Sequence, residues 1–140
     1  MEFLRLSQSA RLPERAHEGD AGLDLFTPVE IILTPLQRKL VKLGFAVAIP
    51  KGFVGMVCPR SGLAANNGIT VLNAPGIIDS GYRGEVGVVL VNISNENVTI
   101  ERDSKIAQLL IIPCSSENPL WVGYLDDTDR GAGGFGSTGI

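Results

Sequence analysis

Arg60 and Ser61 stand side by side in Pro59-Arg60-Ser61-Gly62-Leu63-Ala64, directly after one apolar run and before the only stretch with a helical pattern. A guanidinium, a hydroxyl and the free N–H groups at the start of a helical turn make a small anion site. The bland alternative is a helix cap at Ser61 with Arg60 in solvent. Ser61 does not read as a nucleophile, because the one histidine, His17, lies in a charged N-terminal loop and is poorly placed as its base. A second stretch is richer: Leu72-Asn73-Ala74-Pro75-Gly76-Ile77-Ile78-Asp79-Ser80-Gly81-Tyr82-Arg83-Gly84-Glu85. Asn73 carries both a donor and an acceptor, which suits a pyrimidine edge. Asp79, between Ile78 and a Ser-Gly turn, is a carboxylate that partial burial would tune to take a proton from water. Tyr82 offers a ring on which a sugar or base can stack. A plain turn accounts for Asn, Asp and Gly here, but not for an aromatic ring and two carboxylates so close together.

Three further segments add polar groups. Asp24, in Asp20-Ala21-Gly22-Leu23-Asp24-Leu25, is either a turn residue or a buried carboxylate in need of a partner. Gln108 is a lone amide in the apolar stretch 104–110 and must find partners if buried, among them Asp24, Ser61 or a ligand phosphate. The last segment, 126–139, is nearly free of large side chains apart from Arg130 and Phe135. It buries too little apolar surface to form a core. Its composition fits a frayed terminus, or a lid whose glycine N–H groups, guanidinium and ring wrap a ligand.

The elements that must hold these residues are strands. Between residues 38 and 50 the odd positions Val41, Leu43, Phe45, Val47 and Ile49 are apolar, a period of two. Similar runs fall at 29–33, 53–58, 69–72, 85–93, 97–100 and 105–112, separated by prolines and many of the 17 glycines. Only 61–67 reads as a short helical turn. This pattern predicts an all-β, jelly-roll-like antiparallel β-barrel spanning 1–123, with a mobile Gly-rich lid at 124–140. The run 85–93 is apolar on both faces, through Val86, Val88 and Leu90 on one and Val89, Val91 and Ile93 on the other. Such a strand needs a second cover, either another layer of the fold or a subunit interface.

Composition narrows the class. The chain has 140 residues, 44% of them hydrophobic, enough for a real core. A net charge of −3 with no basic run argues against nucleic acid or an anionic membrane as partner. Without an apolar run of membrane-spanning length or a signal-peptide pattern, the sequence reads as soluble and intracellular, in cytoplasm or nucleus. Cys58 and Cys114, in apolar runs, read as buried free thiols.

In order and spacing, the five polar segments resemble the five motifs of the trimeric dUTPase family, over residues 21–139. The resemblance implies a jelly-roll homotrimer with three sites at subunit junctions. Each would take Asp24, Arg60, Ser61 and Gln108 from one subunit, the 73–82 hairpin from a second and the tail from a third. It implies that Asn73, Gly76, Ile77 and Ile78 bind uracil, and that Tyr82 packs under deoxyribose and leaves no room for a 2′-hydroxyl. Arg60, Ser61, Gly62 and Gln108 would hold phosphates together with Arg130, Gly136, Ser137 and Thr138. Phe135 would stack on the base, Asp79 would activate water and Asp24 would support the site. Mg²⁺ would be held by the substrate phosphates and water, with no direct protein ligand. Two departures keep charge or bulk: Lys105 and Leu23 stand where many relatives carry arginine and tyrosine. The implied reaction is dUTP to dUMP and pyrophosphate, which limits uracil in DNA and supplies dUMP for thymidylate synthesis. The alternatives are a dCTP deaminase-like enzyme, with a similar hairpin, and a nucleotide-binding trimer without catalysis.

Overall fold

Long alternating strands dominate the computed structural model, which describes residues 1–134 and Ser137. The longest, β11 (Lys105–Pro113), lies at the centre of a four-stranded antiparallel sheet in the order β2 (Leu23–Phe26), β11, β6 (Phe53–Cys58), β8 (Gly76–Ile78). A three-stranded sheet orders β4 (Arg38–Lys42), β9 (Gly87–Asn92) and β7 (Ile69–Val71). Two pairs complete the strands: β1 (Glu2–Arg5) with β5 (Phe45–Ala48), and β3 (Ile31–Leu33) with β10 (Val98–Ile100). The single helix among the described residues is α1, Ser61–Asn67, where the helical turn was expected. The all-β, jelly-roll-like expectation holds, though the described strands hydrogen-bond as four separate pieces and not as one closed cylinder.

One face of each strand supplies the core. Leu25, Ile31, Leu33, Leu43, Ile69, Leu90, Ile106 and Leu109 are fully buried. Asn92 joins them because all its polar atoms are satisfied: Nδ2 donates to the Leu33 carbonyl (2.9 Å) and the Glu96 carbonyl (2.7 Å). Its Oδ1 accepts from the Ser94 backbone N–H (2.9 Å) and hydroxyl (2.7 Å). On β9, Val88 and Leu90 point inward while Val89 on the other face is half-buried. Leu40, in register with Val89, is exposed, as are Leu72 and Ile93. Within one chain, then, the outer apolar row of 85–93 is covered unevenly: Val91 is buried, Val89 half-buried and Ile93 exposed.

Three local departures from the periodic pattern have clear causes. The run 38–50 breaks into β4 and β5 at Gly44, whose φ of 75° is a left-handed conformation that favours glycine. A Cβ there would come within 2.9 Å of the Ser7 Cβ. The Gly44 carbonyl accepts from the N–H groups of Leu6 and Ser7, which docks the N-terminal segment on this turn. Strand β1 escapes a periodicity search because only Phe3 packs inward, edge-on to Phe45 at 5.6 Å. Of the cysteines, Cys58 is half-buried and Cys114 lies exposed just past β11; both are free. The expectation of two buried thiols is therefore corrected, because Cys114 follows the turn out of the sheet at Pro113.

Candidate active site

Asp24 is a strand residue, not a turn residue. It sits on β2 opposite Gln108 of β11, which is in turn opposite Cys58 of β6. Facing residues of an antiparallel ladder share a side of the sheet, so this row brings Asp24 and Gln108 to the end of β6 from which Pro59 and Arg60 emerge. A register shift between Lys105 and Ala107 lets Lys105 lean back on the same carboxylate. The Lys105 ammonium lies 2.7 Å from Asp24 Oδ2 and the Arg60 guanidinium 3.1 Å from Oδ1. Arg60 also donates to the Lys105 carbonyl at 3.2 Å. Asp24, only 8% exposed, is thereby a buried anion answered by two cations, each about a third exposed. The cluster keeps one net positive charge, held rigidly.

Gln108 reaches neither Asp24 nor Ser61; its amide donates to the Pro59 carbonyl at 3.0 Å. That bond pins the loop that carries Arg60. Gly22 is required opposite it, since a Cβ there would lie 2.5 Å from the Gln108 side-chain oxygen. Ser61 is the first residue of α1 and Arg60 its cap position, with no side-chain capping bond, so the Ser61 hydroxyl is not spent as a cap. Asp24, Arg60, Ser61, Gly62 and Gln108, together with the loop at Asp20–Gly22, line a cleft of about 340 Å³. Arg60 is the cation on its lining, beside Asp20 and Asp24, and the Ser61 hydroxyl and free N–H groups of the helix start open into it, an arrangement that offers donors to an anion.

The hairpin residues lie elsewhere. Strand β8 runs antiparallel to β6, with Gly76 opposite Val57 and Ile78 opposite Gly55. Asp79 therefore leaves the sheet at the far end of β6 from Arg60, about 20 Å away at the usual strand rise. Asn73, Asp79 and Tyr82 are all exposed, which corrects the expected partial burial of Asp79. Gly76 and Ile78 are buried in the sheet and Ile77 faces solvent. A turn closes the loop, with the Tyr82 N–H donating to the Asp79 carbonyl at 3.0 Å. Arg83 donates to the carbonyls of Ser80 and Tyr82 at 2.8 and 2.7 Å. In the tail, Arg130 donates to the Gly133 carbonyl and the Ser137 N–H to the Gly134 carbonyl, each bond local to the segment. Phe135, Gly136 and Thr138 lie outside the described residues.

No group of three or more His, Cys, Asp or Glu side chains able to hold a metal occurs among the described residues. Both Asp24 oxygens are already engaged by cations. A divalent ion brought in by a polyphosphate fits this donor set; a protein-built cage does not.

Fold and cleft together define an all-β protein with a pinned, arginine-bearing loop at one end of its main sheet and the exposed Asp79 carboxylate at the other. The dUTPase family model matches residues 8–139. The deoxyuridine 5′-triphosphate nucleotidohydrolase of Clostridium kluyveri is 50% identical over 141 residues, covering 99% of each chain. A mutant dUTPase of Staphylococcus bacteriophage 80alpha with dUpNHpp superposes with a TM-score of 0.92 at 29% identity, covering 99% of this chain and 98% of that one. A mutant dUTPase from phage phi11 of S. aureus, whose structure concerns the coordination of a structural Mg(II) ion, gives a TM-score of 0.81 at 29% identity over 88% of this chain and 96% of that one. The chain belongs to the dUTPase family and is an enzyme of that family. Among the described residues no helix is long and apolar enough to cross a membrane.

Proposed function

We propose that the protein hydrolyses dUTP to dUMP and pyrophosphate in a homotrimer whose sites combine residues from different copies. One observation carries the composite site: the cleft that holds Arg60 and the Asp79 carboxylate occupy opposite ends of β6 in a single chain. The exposed apolar strip of Leu40, Leu72 and Ile93 and the uncovered Leu120, Trp121, Tyr124 and Leu125 support self-association. The body at 1–123 carries the cleft and hairpin, and 124–140 acts as the lid.

In this reading Arg60, Ser61, Gly62 and Gln108 hold the phosphates of one nucleotide, with Asp24 and Lys105 fixing Arg60. Asn73 and the backbone from Gly76 to Ile78, from a second copy, pair with the uracil edge, and Tyr82 packs beneath the sugar. Asp79 accepts a proton from water as that water attacks the α-phosphorus and the bond to the bridging oxygen breaks; the electron pair leaves with pyrophosphate. Mg²⁺, carried on the triphosphate, supplies charge neutralisation on the leaving group. Arg130, Ser137 and Thr138 of the tail add donors, Phe135 covers the base and Gly136 gives the chain room to close, so that bulk water is excluded once substrate is bound.

The test is pyrophosphate release from dUTP with Mg²⁺, compared with dCTP, dTTP and UTP. Release confined to dUTP supports the reading; ammonia from dCTP, or nucleotide binding without turnover, refutes it. Co-assembly of Asp79→Asn with Arg60→Ala chains addresses the shared site. Each variant alone is inactive, and mixed oligomers regain activity only if one copy's cleft works with another copy's hairpin.

A further inference from the structure

The Tyr82 ring is not a free surface side chain. Its hydroxyl donates to the Glu85 carbonyl at 3.0 Å, and the hydroxyl end of the ring lies against Gly84. A Cβ at Gly84 would collide with the Tyr82 hydroxyl and come within 2.6 Å of Cζ and 3.0 Å of Cε2. Only a residue without a side chain leaves the ring where it is. Glu85, whose carbonyl receives the hydroxyl, is itself bolted to the barrel. Its Oε1 accepts the Gly44 N–H at 2.9 Å, across 41 residues of sequence, and its Oε2 lies 3.3 Å from the Lys42 ammonium. The next residue extends the anchorage: Val86 N–H donates to the Phe45 carbonyl and the Val86 carbonyl accepts the Leu43 N–H. The hydroxyl end of the ring is therefore held on a rigid turn, and nearly half of the residue remains open to a ligand.

We propose that Gly84 and Glu85 are positioning residues that set the height of the Tyr82 ring, and that the preference for 2′-deoxyribose over ribose depends on them. The proposal rests on the reading that Tyr82 packs under the sugar. A ring held against its turn rejects a 2′-hydroxyl sterically; a ring free to tilt makes room for it. A methyl at Gly84 lifts the ring, and loss of the Glu85 carboxylate frees the backbone to which the hydroxyl is tied.

The experiment measures kcat/KM for dUTP and for UTP with Gly84→Ala, Glu85→Ala, Glu85→Gln, Tyr82→Phe and Tyr82→Ala in the full chain. The ratio of the two values does not depend on the fraction of active molecules, so a purely structural loss leaves it unmoved. Gly84→Ala, Glu85→Ala and Tyr82→Phe are each expected to lower the dUTP-to-UTP ratio by about tenfold, the order set by one net hydrogen bond. Glu85→Gln keeps an acceptor for the Gly44 N–H and restores the ratio to within about twofold. Tyr82→Ala lowers it at least as far as the others. If Tyr82→Ala lowers the ratio while Gly84→Ala, Glu85→Ala and Tyr82→Phe leave it intact, the positioning role is overturned and the stacking reading stands. If Tyr82→Ala itself leaves the ratio intact, the stacking reading fails. Tyr82→Phe loses only a hydroxyl on an exposed ring and decides the question even where the Gly84 or Glu85 variants do not fold.

Discussion

Replacing Asp24 with asparagine removes the one anion that answers two cations while leaving shape almost unchanged. Each contact is about 3 Å, worth roughly 5 kcal/mol of gross attraction at an effective dielectric near 20. Burial of the carboxylate offsets much of that gain, and breaking such a buried pair costs about 3–5 kcal/mol net. Arg60 and Lys105 are each a third exposed, so water recovers part of the loss. About 2 kcal/mol remains, a drop of roughly 6–10 °C in Tm for a chain this long. The freed Arg60 guanidinium lines the cleft and now accepts an added anion more readily. Thermal melts at equal protein concentration, with and without pyrophosphate, measure both effects. The Asn variant is expected to melt lower and to gain more from pyrophosphate than the parent does. A Tm within about 1 °C of the parent, or an equal gain from pyrophosphate, would refute the idea that Asp24 holds Arg60 and Lys105 in place.

Three other outcomes follow from separate parts of the molecule. Asn92→Ala strips four hydrogen bonds from a fully buried site and is expected to cost about 2–4 kcal/mol in urea unfolding, since buried backbone groups are left unpaired. Leu109→Ala, at the fully buried middle of β11, leaves a cavity and costs about 3 kcal/mol by the same measurement. Truncation after Asp129 removes a segment whose described hydrogen bonds reach no further than Thr128; Tm should hold while kcat/KM for dUTP falls by about 10²–10³, as read by pyrophosphate release.

Strands and core were legible because they obey short-range rules. The apolar alternation at 41–49 and the continuous apolar run at 105–112 survive any register, and the helix at Ser61–Asn67 falls where expected. What sequence reasoning missed depends on long-range pairing. Strand β1 has one inward side chain and carries no period. Asp24 reads as a turn residue until β11, about eighty residues later, supplies the Lys105 that makes its burial tolerable. Gln108 was correctly picked as a lone amide needing a partner, but that partner is the Pro59 backbone, which no side-chain motif reveals. Glu85, noticed only as a second carboxylate near Asp79, acts through a bond to Gly44 that joins two distant turns.

The site residues divide along the same line. Those whose positions are fixed by one sheet, Asp24, Arg60, Gly62 and Gln108, meet within the single chain, because ladder register alone brings them to one edge. Asp79 and Tyr82 follow β8, and the register of β8 on β6 carries them to the opposite edge, while Asn73, which precedes β8, stays near the Val57 end. No rotamer change joins the two groups, since a side chain reaches only a few ångströms and the strand between them is rigid. An enzyme whose base and phosphate cradle stand at opposite ends of one strand has two ways to bring them onto a single phosphoryl group: bend the sheet, or place a second copy's hairpin against the first copy's cleft. The buried, close-packed β11 between them opposes bending, and the uncovered row of Leu40, Leu72 and Ile93 favours the second copy. On the proposed reading, in which Asp79 is the base, oligomerisation is part of the catalytic design, because it would place Asp79 of one copy against the cleft of another.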